Sequence, residues 1–233
     1  MAHAQQSSSG GGLAIVLVGP AGAGKTTIAH RLIAARPQGR VFSVSHTTRP
    51  IRATETDGVD YCFVDRGTFL AKVGQGDFVE WAEVHGNLYG TTRAAITSHF
   101  EAGRDVIFDV DIEGAAALAA AFPEAVRLIF LTPADWATLV ARLEARGSES
   151  TATMARRLRT ARAELLTVLE QDRQGVPWLS IRNVVLDNAM ADVEAGIASP
   201  KVGLSAEERA HLEHLLADAE ADPRTAPVVA NVG

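Results

Sequence analysis

Short apolar runs alternate along this chain with longer stretches in which apolar positions recur every three or four residues, so strands and helices are expected in turn. Residues 13–18 predict a buried strand and 27–35 the helix behind it. Residues 41–45, 61–64, 78–84, 105–111, 126–131 and 183–186 are further strand-like runs, with 88–91 following a turn at His85-Gly86-Asn87. Helical spacing covers 67–76, 92–102, 113–122, 135–146 and 189–197. A longer helix opens near Ser150 or Thr151 on the stripe Met154, Leu158, Ala161, Leu165 and Val168. Strands alternating with helices predict an α/β protein with a parallel sheet flanked by helices. Residues 45–92 break that rhythm and predict a small inserted lobe of mixed α/β character.

The junction of first strand and first helix carries the most informative residues: Gly19, Pro20, Ala21, Gly22, Ala23, Gly24, Lys25, Thr26 and Thr27 fit G-x-x-x-x-G-K-[ST]. A strand before the pattern and a helix after it are the context that makes it a phosphate-binding P-loop. The glycines let backbone N–H groups turn inward around a β-phosphate, Lys25 reaches the β/γ oxygens, and Thr26 offers its hydroxyl to Mg²⁺. Only three lysines stand against nineteen arginines, so lysine at this position is not an effect of composition. A compact ammonium fits between phosphate oxygens where a planar guanidinium does not. Binding of a nucleoside triphosphate is therefore expected. Asp109 and Asp111 end a strand, and open α/β sheets bind ligands beyond the carboxyl ends of their strands. Asp109 is the candidate for holding Mg²⁺ or its water. Arg49 and Arg52 sit on a polar loop suited to a second phosphate.

Charge and composition narrow the partners. A formal net charge of −6 argues against a broad nucleic-acid-coating surface. No 18-residue apolar run suggests a membrane span, and residues 1–12 are small and polar, expected as a disordered leader. Cys62 is the single cysteine and predicts a small buried hydrophobe. A cytoplasmic monomer or homodimer with small-molecule partners is the expectation. After Ser199 a linker leads to a short amphipathic helix opened by the capping box Ser205 to Glu208, and a tail expected to be disordered and dispensable for activity.

From about residue 13 to 198 the chain resembles the guanylate kinase family of ATP-dependent GMP kinases. The P-loop carries this likeness together with Ser43-Val44-Ser45, Thr47-Thr48-Arg49 and Arg52, and with Asp57-Gly58-Val59-Asp60-Tyr61. Phe78-Val79-Glu80-Trp81, Gly86-Asn87-Leu88-Tyr89-Gly90-Thr91, Asp109-Val110-Asp111, Arg142-Leu143, Arg146-Gly147 and Arg157-Leu158 follow in order. The resemblance implies that Arg49, Arg52, Tyr61 and Tyr89 hold the GMP phosphate, and that Ser45, Glu80, Thr91 and Asp111 surround the guanine. It further implies a GMP-binding insertion at about 45–92 and a helical lid at about 142–162, whose Arg142, Arg146 and Arg157 close on the transferring phosphoryl group. Mg²⁺, held through Thr26 and Asp109, and ATP as donor complete the set. Arg159 and Arg162 are expected on a solvated face. The chain departs from the family at Ile51 and Thr54, and carries Asp187-Asn188 where the family has an Asn-Asp pair after the last strand.

Guanine presents two adjacent N–H donors, which a carboxylate such as Glu80 can accept together. Two other readings stand beside GMP kinase. A ribose 1,5-bisphosphate phosphokinase would share the core but has no need of a base-reading carboxylate. A catalytically inactive guanylate kinase-like interaction module would have lost Lys25 or the arginines.

Overall fold

The computed structural model describes residues 11–84, 86–145, 151–199 and 203–226. In chain order the elements are β1 (Ala14–Val18), α1 (Lys25–Ala35), β2 (Arg40–Phe42), β3 (His46–Thr47), β4 (Cys62–Phe63), α2 (Arg66–Gln75), β5 (Phe78–Val84), β6 (Asn87–Thr92) and α3 (Arg93–Glu101). Then come β7 (Asp105–Asp109), α4 (Ile112–Ala121), β8 (Val126–Thr132), α5 (Trp136–Glu144), α6 (Thr151–Arg173), β9 (Trp178–Arg182), α7 (Leu186–Ala198) and α8 (Ala206–Ala221). The main sheet runs β2-β7-β1-β8-β9, and a second, four-stranded sheet runs β4-β3-β6-β5. Every residue of β1 is fully buried, as a strand of a parallel sheet covered on both faces requires.

The chain divides into two compact units. One comprises Met1–Ala14, Arg36–Ile107 and Ala117–Val126. In it β3 pairs parallel with β4 and antiparallel with β6, while β5 and β6 form a hairpin that sets Glu80 opposite Thr91. Phe69 of α2 stacks on Phe78 of β5, with ring centroids 4.4 Å apart. The Asp65 carboxylate starts α2 by accepting from Thr68 N–H, and Gly76 in the left-handed region ends it. Arg40 is buried where β2 pairs with β7, and its Nε donates to Asp105 Oδ2 at 3.5 Å. A second oxygen of Asp105 accepts from Leu13 N–H, which satisfies this buried carboxylate without leaving charge unpaired.

The other unit comprises Ile15–Ala35, Phe108–Ala116 and Arg127–Gly233. Here the structure corrects the sequence reading of the last strand. It runs Trp178–Arg182, paired parallel to β8 from Leu128↔Trp178 to Thr132↔Arg182. Val184 and Val185, which look strand-like, are 57% and 52% exposed. Their β-branched propensity is overridden because the partner strand β8 takes the preceding segment, and propensity expresses packing more than backbone preference. Asp187 and Asn188 therefore belong to the first turn of α7, where Asp187 pairs with Arg31 at 2.6 Å. The strand ends directly on Asn183.

Helix α8 is capped as expected by Ser205 and Glu208, and it buries Leu212, Leu215 and Ala219. It packs on α6, α5 and β9. A 3-10 turn, Pro223–Thr225, extends past it where sequence indicated no element, and buries Thr225. Arg159 and Arg162 do not simply face solvent: Arg159 Nη1 donates to the Arg224 carbonyl at 3.4 Å and Arg162 pairs with Glu220 at 3.0 Å. The expected leader to residue 10 and the tail beyond residue 226 lie outside the described residues.

Candidate active site

Strand β1 delivers the chain into a loop whose three glycines all lie at positive φ, and at two of them a side chain would also collide. Gly19 has φ +139°, and a Cβ there would run into the Leu131 carbonyl; Gly24 has φ +96°, and a Cβ would strike the Asn183 amide. The loop closes with Ala23 N–H on the Pro20 carbonyl at 3.0 Å, and Ile28 N–H donating to Gly24 at 3.1 Å starts α1. The first N–H groups of α1, without carbonyl partners inside the helix, supply an anion-attracting end. The Lys25 ammonium donates to the carbonyls of Gly19 at 2.5 Å and Pro20 at 3.4 Å, and lies 4.0 Å from Asp109 Oδ1. Thr26 Oγ1 donates to the other Asp109 oxygen at 3.2 Å. Lysine, hydroxyl and strand-end carboxylate thus converge on the loop, with Thr27 exposed on α1 behind them.

A cleft of about 360 Å³ opens here, lined by Lys25, Asp109 and Asp111 on one side and by Arg156, Arg157, Thr160 and Glu164 of α6 on the other. Arg157 is where the sequence expected an arginine. Arg156 beside it was not singled out. Asp111 Oδ1 accepts from Gly114 N–H at 2.8 Å and so caps α4 while its carboxylate borders the cleft. Arg142 reaches from α5 to the loop, donating to the carbonyls of Asn183 at 2.9 Å and Gly22 at 3.4 Å. Arg146 lies outside the described residues.

Two further residues of this region escaped the sequence reading. The Asn183 side-chain amide donates to the Ala23 carbonyl at 2.7 Å, tying the end of β9 to the P-loop. A correct register for β9 would have found it, as the first residue beyond a carboxyl end. Glu164 has one carboxylate oxygen buried with no hydrogen-bond partner among the described residues. Burial pushes its carboxyl up to about 7, against the pull of Lys25 and with the help of Asp111. Only its place beside the apolar stripe of α6, three residues after Ala161 and four before Val168, could have marked it.

In the other unit the hairpin gathers three of the residues assigned to guanine. Thr91 Oγ1 donates to Glu80 Oε1 at 2.7 Å and lies 3.1 Å from Ser45 Oγ. Arg49, Tyr61 and Tyr89 form a second group, with the Arg49 guanidinium 5.5 Å from the Tyr61 ring centre and the two tyrosine rings 6.0 Å apart. Arg49 is held by Glu55 through two hydrogen bonds of 2.7 and 3.0 Å, and Glu55 also accepts from Arg52 N–H at 2.8 Å. This guanidinium keeps the Glu55 carboxyl below its ordinary range. Sequence gave Glu55 no role, since its function is to orient a neighbour. The Arg52 side chain is exposed.

The donors near the loop fit a magnesium ion by their chemistry. Thr26 and Asp109 offer hard oxygens beside the phosphate-binding backbone, which suits Mg²⁺ bound mainly by phosphate and water. Among the described residues no cluster of three His, Cys, Asp or Glu could hold a metal ion by itself.

A glycine loop at the end of a central parallel strand, with lysine, threonine and an acid converging on it, defines a P-loop nucleotide-binding protein of the α/β class. The model of the guanylate kinase family matches residues 12–199. Guanylate kinase from Anaeromyxobacter dehalogenans is 45% identical over 184 residues, spanning 79% of this chain and 79% of that protein. The enzyme of that name from Nocardia farcinica is 48% identical over 163 residues, 69% of this chain and 83% of its own. Among solved structures, guanylate kinase from Anaplasma phagocytophilum superposes with a TM-score of 0.58 at 26% identity, covering 86% of this chain and 94% of that one. The chain belongs to the guanylate kinase family.

Proposed function

We propose that this chain transfers the γ-phosphoryl group of ATP to GMP, releasing ADP and GDP. Family membership makes it a phosphotransferase, and the observation that carries the reading is the convergence of Lys25, Thr26 and Asp109 on an intact P-loop. An interaction module without catalysis has no use for that arrangement. Phosphoryl transfer requires positioning and charge neutralisation more than covalent help. In this reading the loop N–H groups and Lys25 bind the β and γ oxygens, with Lys25 exchanging the carbonyls of Gly19 and Pro20 for phosphate. Mg²⁺, when bound, neutralises phosphate charge, and Thr26 and Asp109 would hold it. Arg142 and Arg157, with Arg146, stabilise charge on the transferring group. Arg49, Arg52, Tyr61 and Tyr89 take the GMP phosphate, and Ser45, Glu80, Thr91 and Asp111 read the base.

The assignment of residues 45–92 to GMP and of 142–162 to a lid over ATP belongs to the same proposal, as does a cytoplasmic monomer or homodimer. No described helix is long and apolar enough to cross a membrane. The pair Glu80 and Thr91 supports a base-reading acceptor site over a sugar-phosphate one, because a hydroxyl already orients the carboxylate. An assay of ADP release with GMP, AMP, dGMP and ribose 1,5-bisphosphate as acceptors tests the proposal. GMP should be used with much the highest kcat/KM. Faster turnover of ribose 1,5-bisphosphate would overturn it.

A further inference from the structure

The family match ends at residue 199, yet the chain continues into an ordered segment that is fastened to the helices bearing Arg142 and Arg157. At the start of α5, Trp136 Nε1 donates to Asp222 Oδ2 at 3.0 Å. At its end, Glu144 accepts from Arg224 Nη1 at 3.5 Å. Arg224 also grips Asp222, at 2.9 Å from Nε to one oxygen and 2.7 Å from Nη2 to the other, and its carbonyl accepts from Arg159 of α6 at 3.4 Å. The Asp222 side chain is 7% exposed. The Arg224 guanidinium holds its carboxyl well below the usual range. Thr225 then locks the turn by donating to the carbonyls of Ala219 and Asp222.

Helical geometry gives these contacts their meaning. Side chains two residues apart on a helix point to opposite sides. Arg142 faces Gly22 and Asn183, whereas Glu144 faces Arg224; Arg157 faces the cleft, whereas Arg159 meets the Arg224 carbonyl. Arg224 therefore touches both helices on the sides turned away from Arg142, which meets the P-loop, and from Arg157, which lines the cleft.

We propose that Asp222 and Arg224 form a clamp behind α5 and α6 that positions Arg142 at the P-loop and Arg157 at the cleft. The proposal rests on the reading of Arg142 and Arg157 as acting on the transferring phosphoryl group. Arg224 is a positioning residue, remote from substrate, and its contribution passes through the two helices. Partly exposed ion pairs contribute little to stability one by one. Misplacing a catalytic group by about 1 Å, in contrast, slows a reaction by up to about 10²-fold. The clamp should consequently register in turnover more than in unfolding.

The test uses the full chain and compares Arg224→Ala, Arg142→Ala and the double variant at a temperature where circular dichroism finds all of them folded. Arg224→Ala should lower kcat about tenfold with KM for GMP unchanged within about twofold. Its effect should be smaller in the Arg142→Ala background, because a clamp acting through Arg142 has less left to position. Arg224→Lys should recover part of the lost turnover by keeping charge opposite Asp222 and Glu144. Should Arg224→Ala fail to fold, Trp136→Phe removes only the indole donor to Asp222 and should give the same kcat-selective loss in smaller measure. A lowered melting temperature with kcat unchanged, or losses that multiply fully in the double variant, would overturn the clamp while leaving Arg142 its role. Wild-type kcat in Arg142→Ala would remove that role and the clamp with it.

Discussion

Lys25 holds two loop carbonyls and faces Asp109, so its removal deletes charge without touching the glycines that shape the loop. Lys25→Ala should lower kcat by on the order of 10²-fold or more with circular dichroism unchanged. Glu80 accepts a hydrogen bond from Thr91 and belongs to the group proposed to read the base. A site built on such acceptors can reject a base lacking the matching donors by about 10⁴-fold. Glu80→Gln should therefore reduce the preference for GMP over AMP, in part only because Asp111 is also assigned to guanine; an unchanged ratio of kcat/KM values would take Glu80 out of the pocket. Glu164 gives a third prediction, in pH. Its folded carboxyl is raised from 4.5 to about 7, so between those values the folded chain binds more protons than the unfolded chain. Stability must fall as pH rises through that window. Glu164→Gln should be the more stable protein above pH 7, by about 1–3 kcal/mol in denaturant titrations, and indistinguishable below pH 4.5.

At the scale of elements, most of the sheet was legible because buried parallel strands are continuous apolar runs. The exception was β9. Residues 178–182 carry a serine and an arginine, while Val184-Val185-Leu186 looks the better strand, and no local signal outweighs that. Pairing with β8 decides the register and brings Asn183 against Ala23. Asn183→Ala would leave the Ala23 carbonyl without this donor in a buried setting, a loss of about 1–3 kcal/mol in thermal or denaturant unfolding. The P-loop, by contrast, was legible to the residue, since its glycines answer to local backbone angles and close approach that no distant sequence can replace.

For the whole molecule, the place of the C-terminal segment was decided by tertiary structure. Sequence marked the cap of α8 and its leucines and expected activity without the segment, but nothing local says which surface an amphipathic helix covers. The structure seats it on α5, α6 and β9, with Leu212 fully buried. Leu212→Ala should cost about 2–5 kcal/mol of stability, and a chain ending at Ser199 should unfold at lower temperature, as melting curves would register. What the sequence determined alone is what local geometry and side-chain chemistry encode: the phosphate loop, its lysine and threonine, the helix caps and the apolar runs. What tertiary structure decided is which run pairs, which face of α6 meets the cleft, and which neighbour holds Arg49, Asn183 or Arg224. Those outcomes depend on partners up to 160 residues away in the chain, and periodicity in one segment carries no information about the segment that will pack against it.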